Sequence, residues 1–274
     1  MKTEITVIVD NIADKGLRGE WGLSLLVEYG DRKILADAGA SELFLTNLEK
    51  LGFDVGEIDF AALSHAHYDH ANGMPAFFAH NSRAKCFIRQ GAAPNCYSQR
   101  RFYRKYIGIP RGLAAKYPDR IEFVTGDYRL SEGVWLIPHK TEGLAELGKR
   151  EGLYRRSGLR WRPDDFAHEQ SLVLDTEKGL VIINSCSHGG VLNILREVGE
   201  TFPEKHIYGI IGGFHLFKKP EEEVRELAKK LKKTGIDYVC TGHCTKDRAY
   251  AILKEELGDR AEQMRVGRRI VLSD

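Results

Sequence analysis

A cluster of histidines with one aspartate constrains this chain more than any other feature of its sequence. Residues 64–70 read Ser-His-Ala-His-Tyr-Asp-His, so three imidazoles and one carboxylate fall within six positions. The cluster directly follows Ile58–Leu63, an apolar run that predicts a short buried strand. Neutral imidazole and carboxylate suit zinc, iron or manganese. The sequence therefore predicts a metal site in the loop after a strand.

Three other predicted strands are also followed by a histidine within a few residues. These histidines are His188, His215 and His243, which come after strands ending at Asn184, Ile211 and Cys240. Loops at one edge of a sheet are brought together by the fold, so ligands far apart in sequence can surround one centre. Because the chain has only 10 histidines, four such placements by accident would be unusual. We expect these loops to meet.

The spacing inside the cluster indicates room for two metal ions. His65 and His67 are two positions apart, so their side chains point the same way in extended chain. Asp69 and His70 follow directly and can turn toward an adjacent position, as two close ions require. We therefore predict a binuclear site.

The rest of the chain alternates predicted strands with predicted helices. Residues 1–10 read as a first strand, and a hairpin over residues 21–37 follows it. The clearest helix begins at Pro220 and ends before Gly235, with glutamates in its first turn and lysines in its last. This alternation predicts an α/β fold built in layers.

The sequence Ser-His-Ala-His-Tyr-Asp-His-Ala-Asn-Gly at residues 64–73 resembles the signature of the metallo-β-lactamase superfamily, histidine-any-histidine-any-aspartate-histidine. Residues 35–39, Leu-Ala-Asp-Ala-Gly, look similar to that superfamily's second strand and turn, so the resemblance extends over nearly the whole chain. It implies a metallo-β-lactamase-like four-layer αββα sandwich. It also implies that Asp37 supports the site rather than binding metal.

Three later segments resemble one branch of that superfamily, the dihydropterin ribofuranosylaminobenzene 5'-phosphate synthase-like branch. They are Asn-Ser-Cys-Ser-His-Gly-Gly at 184–190, Gly-Gly-Phe-His-Leu at 212–216 and Thr-Gly-His-Cys-Thr at 241–245. Members of the branch act on, or are named for, phosphorylated pterin precursors. The resemblance implies metal chemistry and a pterin-like substrate.

The resemblance also implies how ligands divide between two metals. In the family pattern, the first two signature histidines and a later histidine bind one metal. The aspartate, the third signature histidine and the last histidine bind the second. By that pattern His65 and His67 serve the first metal, and Asp69, His70 and His243 serve the second.

The middle ligands are where this sequence departs from the family. The superfamily usually has a glycine-histidine-threonine segment and then a bridging aspartate after a strand, but no aspartate follows Asn184 in this position. Cys186 and His188 lie in its neighbourhood, and His168 precedes a strand pair much as the missing histidine would. We predict His188 as a ligand, with a supporting role as the alternative, and Cys186 and His168 stay open.

The ligand types imply hydrolysis by a metal-bound hydroxide, because metal binding lowers the pKa of bound water toward about 7. Asp69 is predicted to bind metal and to orient that water. His215 is predicted to donate a proton or to hold substrate, against the alternative of a histidine that merely ends a strand. Phosphoesters are among the bonds that yield to this chemistry, with zinc expected and manganese or iron also suited.

Two segments look inserted, at about residues 91–120 and 140–167. The first carries basic residues among aromatic ones, namely Arg100, Arg101, Arg104, Lys105, Arg111 and Lys116. The second reads as long and irregular, and long irregular stretches are usually binding loops or lids. Both are predicted to wall a cleft for a small anionic substrate, with a solvated charged face as the alternative.

The composition of the chain limits the number of domains, the class of partner and the compartment that can be predicted. A chain of 274 residues that is 42% hydrophobic predicts one domain over 1–274. The formal net charge of +2 is too small to imply nucleic acid or an anionic membrane. Five widely spaced cysteines, apolar runs too short to cross a bilayer and no secretory pattern predict a cytoplasmic protein with no membrane partner. The sequence does not indicate an oligomeric state.

Other functions remain in competition. A nuclease on the same fold would want basic loops but a larger positive excess than this chain has. An iron redox enzyme of the family typically has glutamate where His67 stands and needs a flavin partner. From outside enzymology, the rival is a metal-stabilised sensor that binds a ligand without turnover.

Overall fold

Two seven-stranded β-sheets face each other in the computed structural model, which describes residues 2–273. Within that range, the strands in chain order are β1 Thr3–Val9, β2 Ser24–Tyr29, β3 Arg32–Ala36, β4 Phe60–Ala62, β5 Lys85–Arg89, β6 Cys96–Gln99, β7 Arg104–Tyr106, β8 Ile121–Val124, β9 Tyr128–Ser131, β10 Val134–Pro138, β11 Leu153–Ser157, β12 Arg160–Pro163, β13 Gln170–Thr176, β14 Gly179–Ile183, β15 Ile207–Gly212, β16 Tyr238–Thr241, β17 Ala261–Gln263 and β18 Arg269–Ser273. The first sheet has the order β18-β1-β2-β3-β4-β5-β8, and the second has the order β17-β16-β15-β14-β13-β10-β9.

Helices cover the outer faces of both sheets. All α-helices over the same residues are, in chain order, α1 Leu43–Lys50, α2 Tyr68–Ala71, α3 Met74–His80, α4 Leu113–Lys116, α5 Leu144–Glu151, α6 Val191–Thr201, α7 Glu221–Lys233 and α8 Lys246–Leu257, of which α2 lies in the histidine loop and α5 packs on β11 and β12. The helix predicted from Pro220 is confirmed as α7, and α8 begins at Lys246, slightly before the predicted start at residue 249. Helix α6 was not predicted.

Three apolar cores separate four layers, because side chains alternate between the two faces of each strand. In β1, Ile5 and Val7 enter the core between the two sheets, whereas Ile8 enters the core under α1 and α3. On the other side, residues such as Ile182 and Ile210 pack against α6, α7 and α8. The expected four-layer αββα sandwich is therefore confirmed.

The strand order places the histidine-bearing loops. Strands β3, β4, β5 and β8 run parallel in the first sheet, and β14 to β17 run parallel in the second. The loop after β4 carries the histidine cluster, and the loops after β14, β15 and β16 carry His188, His215 and His243. Parallel strands end at the same edge of a sheet, so these loops converge there.

The prediction that residues 140–167 are irregular is wrong. This segment contains α5, β11 and β12, and its β11 pairs antiparallel with β6 of the other inserted segment. Together they form a four-stranded sheet of order β12-β11-β6-β7. The ring of Trp161 contacts Tyr97 at 4.8 Å and lies under the Arg104 guanidinium at 4.6 Å. Pairing between distant segments stabilises these arginine-rich strands, and local sequence does not reveal it.

No helix within residues 2–273 is both long enough and apolar enough to cross a membrane.

Candidate metal centre

The loops after β4 and β14 bring three histidines together. His65, His67 and His188 offer ligand atoms that all lie within 4.8 Å of one another. All three side chains are buried, and the ring centroids of His188 lie 4.9 Å from His65 and 4.8 Å from His67. We call these three residues the first ligand set.

Asp69, His70 and His243 form a second group beside the first. The Oδ2 atom of Asp69 lies 3.9 Å from Nε2 of His70 and 3.6 Å from Nε2 of His243. The rings of His65 and His70 are 4.2 Å apart, so the two groups adjoin. We call Asp69, His70 and His243 the second ligand set. The structure thus brings together all six residues that the sequence suggests as ligands.

Several imidazole nitrogens of the two ligand sets lack a hydrogen-bond partner within the described residues. Among the described residues, Nε2 of His65 and His67 and both ring nitrogens of His188 and His243 are buried without a hydrogen-bond partner. A buried polar atom without a partner costs roughly 1–3 kcal/mol, so such a concentration is unusual in a folded protein. Nitrogen lone pairs beside a carboxylate are the donor set that divalent transition metals take. These residues therefore fit a metal centre.

Asp37 fixes the orientation of two of the imidazoles. Its carboxylate accepts hydrogen bonds from the backbone N–H and the hydroxyl of Ser64, each at 2.7 Å. The same carboxylate holds Nδ1 of His70 at 2.8 Å, and the Ser64 hydroxyl holds Nδ1 of His65 at 2.8 Å. Both rings are left with Nε2 directed at the ligand sets, which is how supporting carboxylates orient metal-binding histidines.

Burial keeps the first ligand set neutral. It lowers the pKa of His67 to about 3, and together with the neighbouring imidazoles it holds the pKa values of His65 and His188 well below their usual range. Burial alone would raise the pKa of Asp69, but His70 and His243 outweigh it and lower that pKa. Neutral imidazoles and an ionised carboxylate are the forms that bind metal.

The neighbours of His243 raise its pKa. Although burial lowers its pKa, the neighbouring Cys244 and Asp69 raise it to about 9. The backbone N–H of His243 donates to Asp10 at 2.7 Å, which holds the residue in place. Metal binding at this position should therefore release a proton.

His168, a candidate for the middle ligand, has both ring nitrogens in use. Its Nδ1 accepts a hydrogen bond from the backbone N–H of Ala66 at 3.1 Å, and its Nε2 lies 3.1 Å from Oδ2 of Asp164. His168 therefore supports the loop between His65 and His67 through the backbone of Ala66. The geometry favours His188 over His168 as the third nitrogen of the first ligand set.

His139 lies outside the cleft, between two buried carboxylates. The sequence did not indicate this arrangement. Its ring is hydrogen-bonded to Glu169 on one side and to Glu197 at 2.9 Å on the other. Burial opposes its charge, but the two carboxylates raise the pKa of His139 to about 9. Glu169 also accepts the backbone N–H groups of His188 and Gly189, each at 2.9 Å. The charged group therefore supports the loop that carries His188.

His215 and Cys186 complete the interior of the site. His215 is half-buried, its ring lies 4.4 Å from that of His188, and its Nδ1 has no partner among residues 2–273. Cys186 is buried with its Sγ 3.3 Å from Nε2 of His70 and 3.5 Å from Sγ of Cys244. Neither cysteine is part of a disulfide bond within the described chain.

Backbone strain concentrates at the same place. Asp37, Ser187, His215 and His243 have φ values of 62°, 53°, 50° and 48°, in the left-handed region that side chains rarely adopt. Each such residue costs on the order of 1 kcal/mol or more, and such strain is found mainly at functional sites.

A cleft of about 320 Å³ opens onto both ligand sets. Its walls combine three aromatic side chains with two exposed cations, namely Trp21, Tyr68, Phe217, Arg100 and Lys218. Both inserted segments contribute to it, the first through Ser98, Arg100 and Ile107 and the second through Glu151 and Leu153. Four other basic residues of the first segment do not line this cleft and are exposed to solvent, namely Arg101, Lys105, Arg111 and Lys116.

Comparison with known proteins gives one family match. The model described as "Metallo-beta-lactamase superfamily" matches residues 21–202. A relative from Methanocaldococcus jannaschii, named 7,8-dihydropterin-6-methyl-4-(beta-D-ribofuranosyl)-aminobenzene-5'-phosphate synthase, is 30% identical over 269 residues, covering 91% of this chain and 89% of the relative.

Solved structures share the fold. A crystal structure described as a metal-dependent hydrolase of the beta-lactamase superfamily is similar with a TM-score of 0.85 and 30% identity, covering 99% of this chain and 100% of the other. The metallo-beta-lactamase fold protein YhfI from Bacillus subtilis covers 99% of this chain and 100% of its own at a TM-score of 0.58. At 12% identity, the latter supports the fold alone.

Proposed function

The chain belongs to the metallo-beta-lactamase superfamily, and on that premise we propose that it is a metal-dependent hydrolase of a small anionic molecule. The resemblance seen in the motifs is confirmed, both for the superfamily and for the branch named after the pterin synthase. The observation that carries the proposal is the ring of buried, unpartnered imidazole nitrogens around Asp69 within the described chain.

In this proposal the two ligand sets would hold two divalent ions, with zinc expected and manganese or iron as alternatives. Such ions, when bound, polarise the bond to be broken and supply a water nucleophile that ionises near neutral pH. Asp69 accepts a hydrogen bond from the attacking water and orients it, because its carboxylate faces the interior of the site between His70 and His243. Asp37 and Glu169 hold the ligands in place and do not touch substrate.

His215 is the proposed proton donor to the leaving group. Its ring lies in the wall of the cleft, beside His188, with an unpartnered Nδ1 among the described residues. Its backbone N–H donates to Sγ of Cys244 at 3.2 Å, so its position is fixed relative to the second ligand set. A half-buried imidazole in this place can deliver a proton to an oxygen that departs toward solvent.

The walls of the cleft suit a substrate with a flat ring and a phosphate. Trp21 and Phe217 pack edge to face at 5.9 Å and present aromatic surface for stacking. Arg100 and Lys218 supply positive charge for a phosphate group. A phosphorylated pterin-like ester fits both features, and the name of the 30% identical relative supports that class.

The test combines metal content with turnover. We expect the protein purified without chelator to contain about two metal ions per chain by elemental analysis, and to hydrolyse bis(p-nitrophenyl) phosphate or p-nitrophenyl phosphate. In the Asp69→Ala variant, kcat/KM should fall by roughly 100-fold or more, because the group that orients the nucleophile is lost. Asp31→Ala, at an exposed hairpin turn, is the matched control and should behave like the wild type.

Each rival function gives a different result. Unchanged turnover in Asp69→Ala would contradict the mechanism. No bound metal, with no gain on adding zinc, manganese or iron, would favour a binding or sensor protein. Cleavage of a single-stranded oligonucleotide at far higher kcat/KM than either small ester would favour a nuclease.

A further inference from the structure

The sheet of the two inserted segments, β12-β11-β6-β7, concentrates positive charge. Residues 96–106 and 153–163 form its strands and its two hairpin turns, and they contain eight arginines and lysines but no aspartate or glutamate. Without these eight, the chain has 33 of its 41 cations against 39 carboxylates, a formal net charge of −6. The total of +2 therefore conceals a strongly basic sheet on an otherwise acidic protein. We call these residues the basic sheet.

Most cations of the basic sheet have no carboxylate partner. Within residues 2–273, Arg155 pairs with Asp165 at 2.9 Å, and the other seven make no ion pair. Six of those seven are exposed to solvent, namely Arg100, Arg101, Lys105, Arg156, Arg160 and Arg162. Like charges at this density repel one another, so a bound polyanion would relieve the repulsion and release its own counterions.

Aromatic rings and arginines share one face of the basic sheet. Tyr97 lies opposite both Tyr106 and Tyr154 in the strand pairing. Two positions beyond Tyr154, Arg156 lies opposite Trp161, so these side chains project from the same face. The ring of Trp161 is 37% exposed, and the Arg156 guanidinium is 5.6 Å from its centroid. Residues of β6 and β11 on the opposite face line the metal cleft, so the aromatic face points away from it.

Exposed apolar side chains lie at both ends of the basic sheet. Phe102 and Tyr103, in the turn between β6 and β7, are 85% and 62% exposed, and Leu159, between β11 and β12, is 89% exposed. Because β11 runs antiparallel to β6, the two turns lie at opposite ends, separated by a strand of about 17 Å. An extended polymer can follow the sheet from one turn to the other, whereas these side chains are too widely separated to enter a membrane as one cluster.

We propose that the face of the basic sheet bearing Tyr97 and Trp161 binds single-stranded nucleic acid. The arginines contact phosphates, and unpaired bases stack on the aromatic rings and guanidinium planes. A duplex suits this face less, because its bases are stacked inside the helix and leave the rings without a partner. The inference does not rest on the proposed hydrolysis, and it adds a macromolecular partner that the metal centre does not indicate.

The test measures binding of fluorescein-labelled oligothymidylate and oligouridylate, each of about 15 nucleotides, by fluorescence anisotropy over a range of salt concentrations. We expect the wild type to bind at least one of them with a Kd on the order of 10 μM or below at low salt. Arg101→Gln combined with Arg156→Gln removes one exposed arginine near each end of the sheet. This double variant should bind roughly 10-fold more weakly, and its slope of log K against log salt should shrink by about 1.4, because each phosphate contact contributes about 0.7.

Base stacking is tested separately from charge. Trp161→Leu keeps an apolar side chain on the sheet and should weaken binding of the oligonucleotides by roughly 10-fold, but it should hardly change binding of an abasic chain of the same length. Lys229→Gln combined with Lys233→Gln is the matched control, because it removes two exposed cations from α7. This control should bind like the wild type.

Failure of the wild type to bind either oligonucleotide, or equal binding by the wild type and the arginine double variant, would overturn the proposal and leave the proposed hydrolase unaffected. An abasic chain bound as tightly as the oligonucleotides would also overturn it, in favour of a surface for any polyanion. Tighter binding to phosphatidylserine vesicles would assign the surface to a membrane instead. Circular dichroism shows whether a variant is folded, and the exposed arginines keep the proposal testable if Trp161→Leu unfolds.

Discussion

Buried histidines in this protein differ in charge according to their neighbours. His65, His67 and His188 are packed against one another, so burial keeps their pKa values low. His139 is equally enclosed but lies between two carboxylates, which raise its pKa to about 9. The first arrangement suits metal binding, whereas the second creates a buried ion cluster that braces the loop of His188.

His139 should make stability depend on pH in a defined window. Its folded pKa of about 9 lies above the ordinary 6.5, so its contribution is complete below pH 6.5 and is lost as pH rises through about 9. We expect His139→Gln to lower the free energy of unfolding by roughly 3 kcal/mol near pH 6.5, and the deficit to shrink above pH 9. Urea unfolding of the chelated protein at several pH values measures this.

His206→Gln is the control for that series, since His206 is exposed and pairs with Asp237 at the surface. Its unfolding free energy should follow the wild type across the whole range. A deficit in His139→Gln that stays constant from pH 6.5 to 10 would indicate a packing role rather than a charge.

Strand ends control the shape of the site at the level of secondary structure. Gly212 ends β15 with φ at +144°, and a side chain there would place its Cβ 1.9 Å from the carbonyl oxygen of Asn184. Asn184 begins the loop that carries Cys186 and His188. A side chain at 212 would therefore push β15 away from the loop that holds the ligands.

Gly212→Ala should lower the free energy of unfolding by on the order of 3 kcal/mol and should also reduce bound metal. Gly199→Ala is the matched control with the opposite expected change in stability, because Gly199 is inside α6 and its added Cβ would meet nothing closer than 3.8 Å. That variant should gain roughly 0.5–1 kcal/mol, since alanine restricts the unfolded chain and favours helix. Urea unfolding of both variants tests the pair, and equal stabilities would refute the steric argument.

For the whole molecule, the candidate centre joins the two sheets. His65 and His67 follow β4 of the first sheet, whereas His188 and His243 follow β14 and β16 of the second. Ions bound to both ligand sets would connect the halves of the sandwich across their common edge. Metal removal should therefore affect the stability of the complete fold.

We expect chelation to lower Tm by roughly 10 °C, because a ligand at 1,000 times its Kd stabilises the native state by about 4 kcal/mol. Adding back zinc should restore Tm. In His188→Ala, which removes a ligand from the second sheet, both the loss and the recovery should be much smaller. Differential scanning calorimetry with and without chelator measures this, and an identical Tm in both conditions would contradict a metal that joins the sheets.

The sequence alone determined the features that local pattern encodes. The histidine cluster, the strands that precede it, the helix after Pro220 and the family all follow from residue types at short spacing. The alternation of apolar residues and the match to a signature motif can be recognised in the sequence alone, because neither depends on contacts with residues far away in the chain.

Only the tertiary structure decided which side chains are open to a metal. His168 and His188 look alike in sequence, but distant Asp164 and Ala66 engage both nitrogens of His168 and leave His188 free within the described chain. The strands of the inserted segments, the Glu169–His139–Glu197 cluster and the position of Cys186 likewise depend on contacts between residues far apart in the chain. A hydrogen-bonding atom becomes a ligand or a support according to what the fold places against it.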